Sequence, residues 1–224
     1  MIFRVIDILI RGGMAILLAN VFSQSALAQE TIQLIDVKAV APTIVVELRY
    51  AGANNIVGRP LYPRGTRAMV RPEVAKRLAM VEDYLRGHQH GLKIWDAYRP
   101  RSVQVQLWQA SRMNEYVADP DTTNGSLHCW GLAVDATLVD YRNKPVPMPT
   151  DFDDFTPAAF WHYQGDNQYV RANLGLLQAA MAHAGFYGLR SEWWHFIAPD
   201  WKKYVPDPNF FDFSSRPPEQ KNKS

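Results

Sequence analysis

The sequence predicts an α+β domain built on a small antiparallel central sheet flanked by helices. Residues 72–87 and 170–181 carry apolar side chains at helical spacing, whereas 92–98, 132–140 and 193–198 are short apolar runs typical of buried strands. These strands and helices do not alternate strictly, as they would around a parallel sheet. With 224 residues, 47% of them hydrophobic, the chain can bury the core that such a domain needs.

The first 28 residues are predicted to be a signal peptide. A short, mildly positive opening with Arg4 and Arg11 is followed by an apolar run that closes on Ala26-Leu27-Ala28. The run is shorter than the roughly 20 residues of a membrane-spanning helix, and small residues follow it as at a secretory cleavage site. We expect cleavage after Ala28, a periplasmic or secreted mature protein, and no stable membrane insertion. An uncleaved N-terminal anchor is the alternative.

Local signals justify the first elements of the mature chain. Residues 32–50 predict two short strands broken at Ala41-Pro42, the second rich in β-branched residues. Pro72 fits the first turn of a helix that ends at Gly87. The strand over 92–98 ends at Arg99-Pro100, because a residue before proline is driven out of helical geometry.

The second half of the chain continues the mixed pattern. A helix is predicted over 102–117, followed by the buried strand over 132–140 and a proline-rich, acidic loop over 145–157. The third helix stops before Gly185, where glycine favours a helix end. After the strand over 193–198, residues 214–224 form a polar tail that we expect to be flexible.

Charge and cysteine content exclude several functions. The chain has 24 Lys+Arg against 22 Asp+Glu, a formal net charge of +2, which gives no basic field of the kind that nucleic-acid binders use. We therefore expect no nucleic-acid partner. A single cysteine excludes an intrachain disulfide and a cysteine-cluster metal site.

Two of the six histidines predict a metal site. His128 lies in a loop that turns at Gly131 and leads into the strand with Asp135, and His195 follows Glu192 in another strand. Two imidazoles and a carboxylate are three ligands, which for zinc leave the fourth tetrahedral position open for water. Glu192, three residues before His195, is expected to lie close to the metal without binding it, where it can accept a proton from that water. Each residue alone is more often a hydrogen-bonded buried polar group, but together they predict a catalytic site.

These residues form motifs with a family resemblance. The pattern Ser-x-His-x-x-Gly-x-Ala-x-Asp at 126–135 followed by Glu-x-x-His resembles the zinc D,D-peptidases. The full string Glu192-Trp193-Trp194-His195 resembles their D-alanyl-D-alanine dipeptidase branch, known from vancomycin resistance. The string Trp95-Asp96-Ala97-Tyr98-Arg99-Pro100, and Pro147-Met148 leading to Phe152-Asp153, agree with that branch.

The resemblance extends over most of the mature chain and implies its fold and domain. Matching positions run from about Tyr50 to Phe213, so residues 29–213 are expected to form one zinc D,D-dipeptidase domain. The implied fold is the Hedgehog/D,D-peptidase-like one, a small antiparallel sheet with flanking helices.

The resemblance also implies roles for individual residues. It implies one Zn²⁺ per chain, a general base at Glu192 and an Arg99 that faces the tetrahedral intermediate. A guanidinium there would stabilise charge that develops only in the transition state. The metal ligands implied are His128, Asp135 and His195.

Three further residues match the family positions that hold the α-ammonium group of the substrate. They are Tyr50, Ser126 and Asp153. A carboxylate at this place favours dipeptides, because an ammonium pairs with it only when no residue precedes the scissile bond.

The expected function is hydrolysis of D-alanyl-D-alanine to two D-alanines. A resistance enzyme must destroy this dipeptide in the cytoplasm, so a signal peptide favours peptidoglycan turnover or salvage outside it. One alternative is a D,D-carboxypeptidase that trims terminal D-alanine from muropeptides. The other is a non-catalytic zinc module that binds wall fragments, against which the presence of Glu192 and Arg99 argues.

Overall fold

The computed structural model describes residues 32–111, 116–122 and 124–207. The predicted signal peptide and the predicted polar tail lie outside these residues. The compact unit of the fold begins at Ile32. Within the described part of the chain, no helix is long and apolar enough to cross a membrane.

A five-stranded sheet in the order β2-β4-β5-β7-β6 forms the centre of the fold. All of its strand pairs are antiparallel except that between β2 and β4, which is parallel and lies at one edge. A separate two-stranded sheet pairs β1 with β3. The α+β class is thus confirmed, with one parallel edge strand that the sequence did not predict. The strands are β1 (Ile35–Asp36), β2 (Val45–Val46), β3 (Met69–Val70), β4 (His90–Asp96), β5 (Ala133–Asp140), β6 (Tyr187–Leu189) and β7 (Glu192–Ile197).

Two long helices cover the sheet and contact each other. Helix α2 packs against β4 and helix α4 against β5, with the apolar stripe of each helix buried. Pro72 occupies the first turn of α2, as predicted, and the Asn167 side chain caps α4 by accepting from the amides of Tyr169 and Val170. The helices are α1 (Val37–Val40), α2 (Pro72–Gly87), α3 (Arg101–Ala110) and α4 (Gln168–His183).

The prediction of two strands over 32–50 is wrong in its first part. After two strand residues the chain turns into the short helix α1, because the Asp36 carboxylate accepts from the Lys38 amide at 2.9 Å and caps a helical turn. Only Val45 and Val46 extend as the second strand.

The helix predicted over 102–117 ends earlier, at Ala110. Ser111 is extended, and residues 116–122 form an irregular loop. Gln104, fully buried in α3, donates to the Ala118 carbonyl at 2.6 Å, which requires the chain to fold back over the helix. This long-range contact overrides the local helical pattern.

The register of three neighbouring strands aligns the residues of the site. Asp135 in β5 lies opposite Asp96 in β4 on one side and opposite His195 in β7 on the other. The register of β4 shifts between Ile94 and Asp96, an irregularity of the kind that redirects side chains at active sites. The sheet therefore places three ionisable side chains in one row.

Candidate metal and catalytic site

Three potential ligand atoms converge at the centre of the site. Asp135 Oδ1 lies 2.9 Å from His195 Nδ1 and 3.4 Å from His128 Nε2, and the two ring nitrogens are 3.2 Å apart. His128 and Asp135 are buried, and His195 is nearly so. The sequence prediction of a His-Asp-His group is borne out as a possible metal site.

The spacing of these atoms and the tautomer of His128 fit a tetrahedral ion. Ligand atoms bound to one zinc ion at about 2.0–2.2 Å lie about 3.3–3.6 Å from one another, close to the observed 3.2 and 3.4 Å and somewhat longer than the 2.9 Å between Asp135 and His195. His128 Nδ1 lies 2.9 Å from the Ala97 carbonyl and donates to it, so Nε2 presents its lone pair to the site. The structure thus holds an imidazole in the form that binds a metal.

A short 3₁₀ helix, Leu127–Trp130, presents His128. The Ser126 hydroxyl caps it by accepting from the His128 amide at 3.3 Å. The turn ends at Gly131 with φ 66°, and a Cβ atom at that position would lie only 2.6 Å from a methyl carbon of Leu34. Glycine adopts this left-handed conformation without strain, and the Arg71 backbone nitrogen, 3.3 Å from the position of a Cβ atom, leaves little room for a side chain at the turn that the sequence predicted here.

Opposing effects set the charge of Asp135. Burial alone would raise its pKa, but His128 and His195 outweigh that effect and hold the pKa of Asp135 well below its usual range. The carboxylate is consequently ionised and able to bind a cation.

Glu192 begins β7 and lines the same cavity as His128 and His195. Burial raises its pKa to about 8; His195 opposes this effect, and the negative charge of Asp135 adds to it. A carboxyl group that exchanges its proton near neutral pH is suited to general acid–base chemistry.

Arg99 is fixed in place by its neighbours. Its guanidinium bonds the fully buried Asp96 through Nε at 2.9 Å and Nη2 at 2.7 Å, and Gln104 Oε1 through Nη1 at 2.7 Å. It lies over the Tyr50 ring at 4.8 Å, with Nη2 3.7 Å from Asp135. Although burial favours the neutral form, Asp96 above all raises the pKa of Arg99 well above its ordinary value.

Sequence reasoning assigned no role to Asp96 or Gln104, the two residues that hold Arg99. Asp96 stands inside the string at 95–100, and its strand position three residues before Arg99 was the available signal. The hydroxyl group of Tyr62, which lies in a loop, in turn donates a hydrogen bond to Asp96. No local sequence pattern predicted this contact.

Asp153 and Tyr50 form a second polar group in the cavity. The Tyr50 hydroxyl donates to Asp153 Oδ1 at 3.2 Å, and the Ile56 amide donates to Oδ2 at 3.0 Å. Burial raises the pKa of Asp153 to about 7 in spite of these donors. Among the described residues, no cationic side chain forms an ion pair with this carboxylate.

Seven of the eight residues predicted for the site line one cavity, and the eighth, Asp135, contacts both histidines. Ser126 faces this cavity with Tyr50 and Asp153, while its hydroxyl also serves the helix cap. Apolar side chains and the stacked rings of Tyr116 and Phe155, 4.9 Å apart, form the remaining walls. The cavity therefore combines polar groups at fixed positions with apolar walls, as small-ligand sites do.

Known proteins resemble this chain over most of its length. A family model described as D-ala-D-ala dipeptidase, of peptidase family M15, matches residues 30–216. A D-alanyl-D-alanine dipeptidase of Escherichia coli (strain K12) is 34% identical over 175 residues, which are 78% of this chain and 89% of that protein. A D-alanyl-D-alanine dipeptidase of Enterococcus faecium is 29% identical over 188 residues, 75% of this chain and 90% of the relative.

A variant of one proposed ligand tests whether this group binds a metal. When the free zinc concentration is about 100 times the dissociation constant, zinc should raise the free energy of unfolding of the EDTA-treated protein by about 2.7 kcal/mol. In a domain of this size that raises Tm by about 5–10 °C. His195→Ala should abolish this rise in a thermal melt, whereas His162→Ala, at an exposed histidine, should retain it. An equal rise in the His195→Ala protein would exclude this group as the metal site.

The pH dependence of stability tests the environment of Asp153. The carboxyl has an ordinary pKa of 3.8 and a folded pKa of about 7, so the unfolded chain loses the proton first. The free energy of unfolding should therefore fall as pH rises from about 4 to 7. Asp153→Asn removes this loss, and an asparagine tolerates the local φ of 58°.

We expect metal-free Asp153→Asn to be more stable than the wild type by about 4 kcal/mol at pH 8, which corresponds to a pKa that rises from 3.8 to about 7 on folding, and by less than half of that at pH 5. Urea denaturation at both pH values measures this. Asp166→Asn, at an exposed carboxylate, is the control and should show no such trend. A gain for Asp153→Asn that is equal at both pH values would contradict the assignment.

Proposed function

The chain belongs to the D-alanyl-D-alanine dipeptidase family of metallopeptidases, peptidase family M15, and from this premise we propose that it uses zinc to hydrolyse free D-alanyl-D-alanine to two D-alanines. The observation that carries the proposal is the Asp153 carboxylate. It faces the same cavity as the metal-binding group and lacks a cationic partner within the described part of the chain.

The α-ammonium group of a dipeptide would supply the missing positive charge. Asp153 Oδ1 already accepts from Tyr50 and Oδ2 from the Ile56 amide, so the carboxylate is held in one orientation. An ammonium that enters the cavity can pair with the remaining lone pairs, and charge-assisted hydrogen bonds of this type are among the strong ones. Binding at Asp153 would fix how far the scissile bond lies from the amino terminus.

Zinc held by His128, Asp135 and His195 would supply Lewis-acid activation of water and of the substrate carbonyl. Glu192 would take the proton of the attacking water and return it to the amine that leaves. Burial raises the pKa of Glu192 toward neutral pH, which suits a carboxyl group that both accepts and returns a proton.

Arg99 would stabilise the negative charge that develops on the carbonyl oxygen. Asp96 and Gln104 hold its guanidinium rigidly, so no reorganisation is needed when that charge appears. A permanently charged, buried donor of this kind contributes most in the transition state.

A D,D-carboxypeptidase is the less favoured alternative. Its substrate has an acylated nitrogen at the position of the dipeptide ammonium, and would leave the Asp153 carboxylate desolvated without a cation. A non-catalytic wall-binding module would have no use for Glu192 or for the fixed Arg99.

We further propose that the enzyme acts outside the cytoplasm, in turnover or salvage of D-alanyl-D-alanine released from peptidoglycan. The signal peptide predicted at residues 1–28 supports this. The mature chain should begin at Gln29 in the exported fraction of the cell, as N-terminal sequencing would show. An intact chain that remains in the cytosol would contradict export.

An amino-acid release assay tests the activity itself. We expect kcat/KM for D-alanyl-D-alanine to exceed that for its N-acetylated form by about 10–10²-fold, since hydrogen bonds between charged groups contribute about 1.5–3 kcal/mol and the acylated nitrogen cannot form them with Asp153. Similar rates on both compounds would favour the carboxypeptidase, and no release from either would refute hydrolysis.

Glu192→Ala is the control for the chemistry. It should bind zinc as the wild type does, by metal analysis, and lose at least about 10²-fold in kcat, the lower end of the usual range for a lost general base. Near-normal turnover in this variant would overturn the role of Glu192.

A further inference from the structure

We propose that Arg49 is a positioning residue for the ammonium subsite: bound between Trp95 and Asp151, it keeps Asp153 in hydrogen-bonding contact with Tyr50 and so fixes the carboxylate that would bind an ammonium group. This inference rests on the proposed function and adds a specificity-determining contact to it. Arg49 itself lies outside the cavity that contains Tyr50 and Asp153.

Two segments far apart in the chain build the subsite. One contains Tyr50 and Ile56, and the other contains Asp153. Besides the two hydrogen bonds to Asp153, the segments are joined by Arg49 Nη2, 3.3 Å from Asp151 Oδ1, and by Asn54, which donates to Asp151 Oδ2 at 3.4 Å. The ion pair of Arg49 and Asp151 thus joins the residue before Tyr50 to the residue two before Asp153.

Arg49 is in turn anchored to the central sheet. Its guanidinium lies over the Trp95 ring at 4.8 Å, and Nε lies 3.3 Å from Glu47 Oε1. The other Glu47 oxygen accepts from Lys93 Nζ at 2.7 Å. Lys93 and Trp95 both belong to β4, so the contacts of Arg49 fix the first segment relative to the sheet that carries the metal ligands.

The charges of this cluster balance only while Arg49 is present. Lys93 and Arg49 offset Glu47 and Asp151. Asp151 is exposed, so its charge stays hydrated when the guanidinium is removed, and the effect of the removal is the loss of the ion pair between the segments. Because this link holds the second segment, Asp153 should move relative to Tyr50.

Such a displacement should affect binding more than chemistry. Glu192 and the three ligands lie on β5, β7 and the 3₁₀ helix, and none of them contacts Arg49 in the described structure. A small misplacement of a group that positions the substrate lowers the efficiency of an enzyme by up to about 10²-fold. The expected signature is therefore a change in KM with kcat preserved, which a general loss of stability would not produce.

The test compares Arg49→Gln with a matched control in steady-state assays on D-alanyl-D-alanine. We expect KM to rise about 10–100-fold in Arg49→Gln, with kcat within about twofold of the wild type and zinc content unchanged. Discrimination against the N-acetylated dipeptide should fall in parallel, because that discrimination depends on the position of Asp153. Asp151→Asn, which removes the other half of the ion pair, should reproduce the change in KM.

Arg77→Gln is the matched control, because it removes an ion pair of similar length, 3.2 Å to Asp200, at residues that do not line the cavity. It should leave both constants unchanged. If Arg49→Gln does not fold, Arg49→Lys, which keeps the charge but loses the planar stack on Trp95, should still raise KM.

An unchanged KM in Arg49→Gln or Arg49→Lys, or a fall in kcat together with zinc content, would overturn the inference while the wild type still hydrolyses the dipeptide. Failure of the wild type to hydrolyse it would instead refute the proposed function.

Discussion

The alignment of Asp96, Asp135 and His195 across β4, β5 and β7 is the constraint on which the site depends. Asp135 contacts His195 because their strands pair in this register. On the other side of Asp135 the register places Asp96, which binds Arg99 and so holds the guanidinium near Asp135. Even His128, which belongs to no strand, is oriented by the carbonyl of Ala97, the residue after β4. If the pairing of β4 or β7 with β5 slipped by one residue, the side chains of that strand would turn to the opposite face of the sheet and no longer reach Asp135.

The charged groups of the site fall into two sets. Asp96 is paired with Arg99, and Asp135 contacts the two histidines, which lower its pKa. Glu192 and Asp153 lack such compensation within the described residues, and burial raises the pKa of each. These two uncompensated carboxyl groups are the ones to which we assign proton transfer and ammonium binding. Function thus occupies the positions where the fold leaves charge unbalanced.

The sequence predicted the members of the possible metal site better than the structure that supports them. His128, Asp135, His195 and Glu192 stand in motifs whose spacing is local, and helix α2 follows from its own periodicity and proline. The early end of α3, the parallel pairing of β2 and the contacts of Gln104 each depend on residues distant in the chain. No local pattern encodes such contacts, because they exist only once the sheet and helices have packed.

Selectivity for a dipeptide, on this view, arises from a penalty on the wrong substrate as well as from an attraction to the right one. A carboxylate that is half-buried and already hydrogen-bonded gains little from a neutral amide, and an acylated substrate would exclude water from it without replacing that hydration. The penalty operates only if Asp153 cannot move away from the blocked nitrogen. A rigid attachment of its loop to the sheet is therefore as necessary for discrimination as the charge itself, and it is this rigidity that the contacts of Arg49 with Trp95 and Asp151 supply.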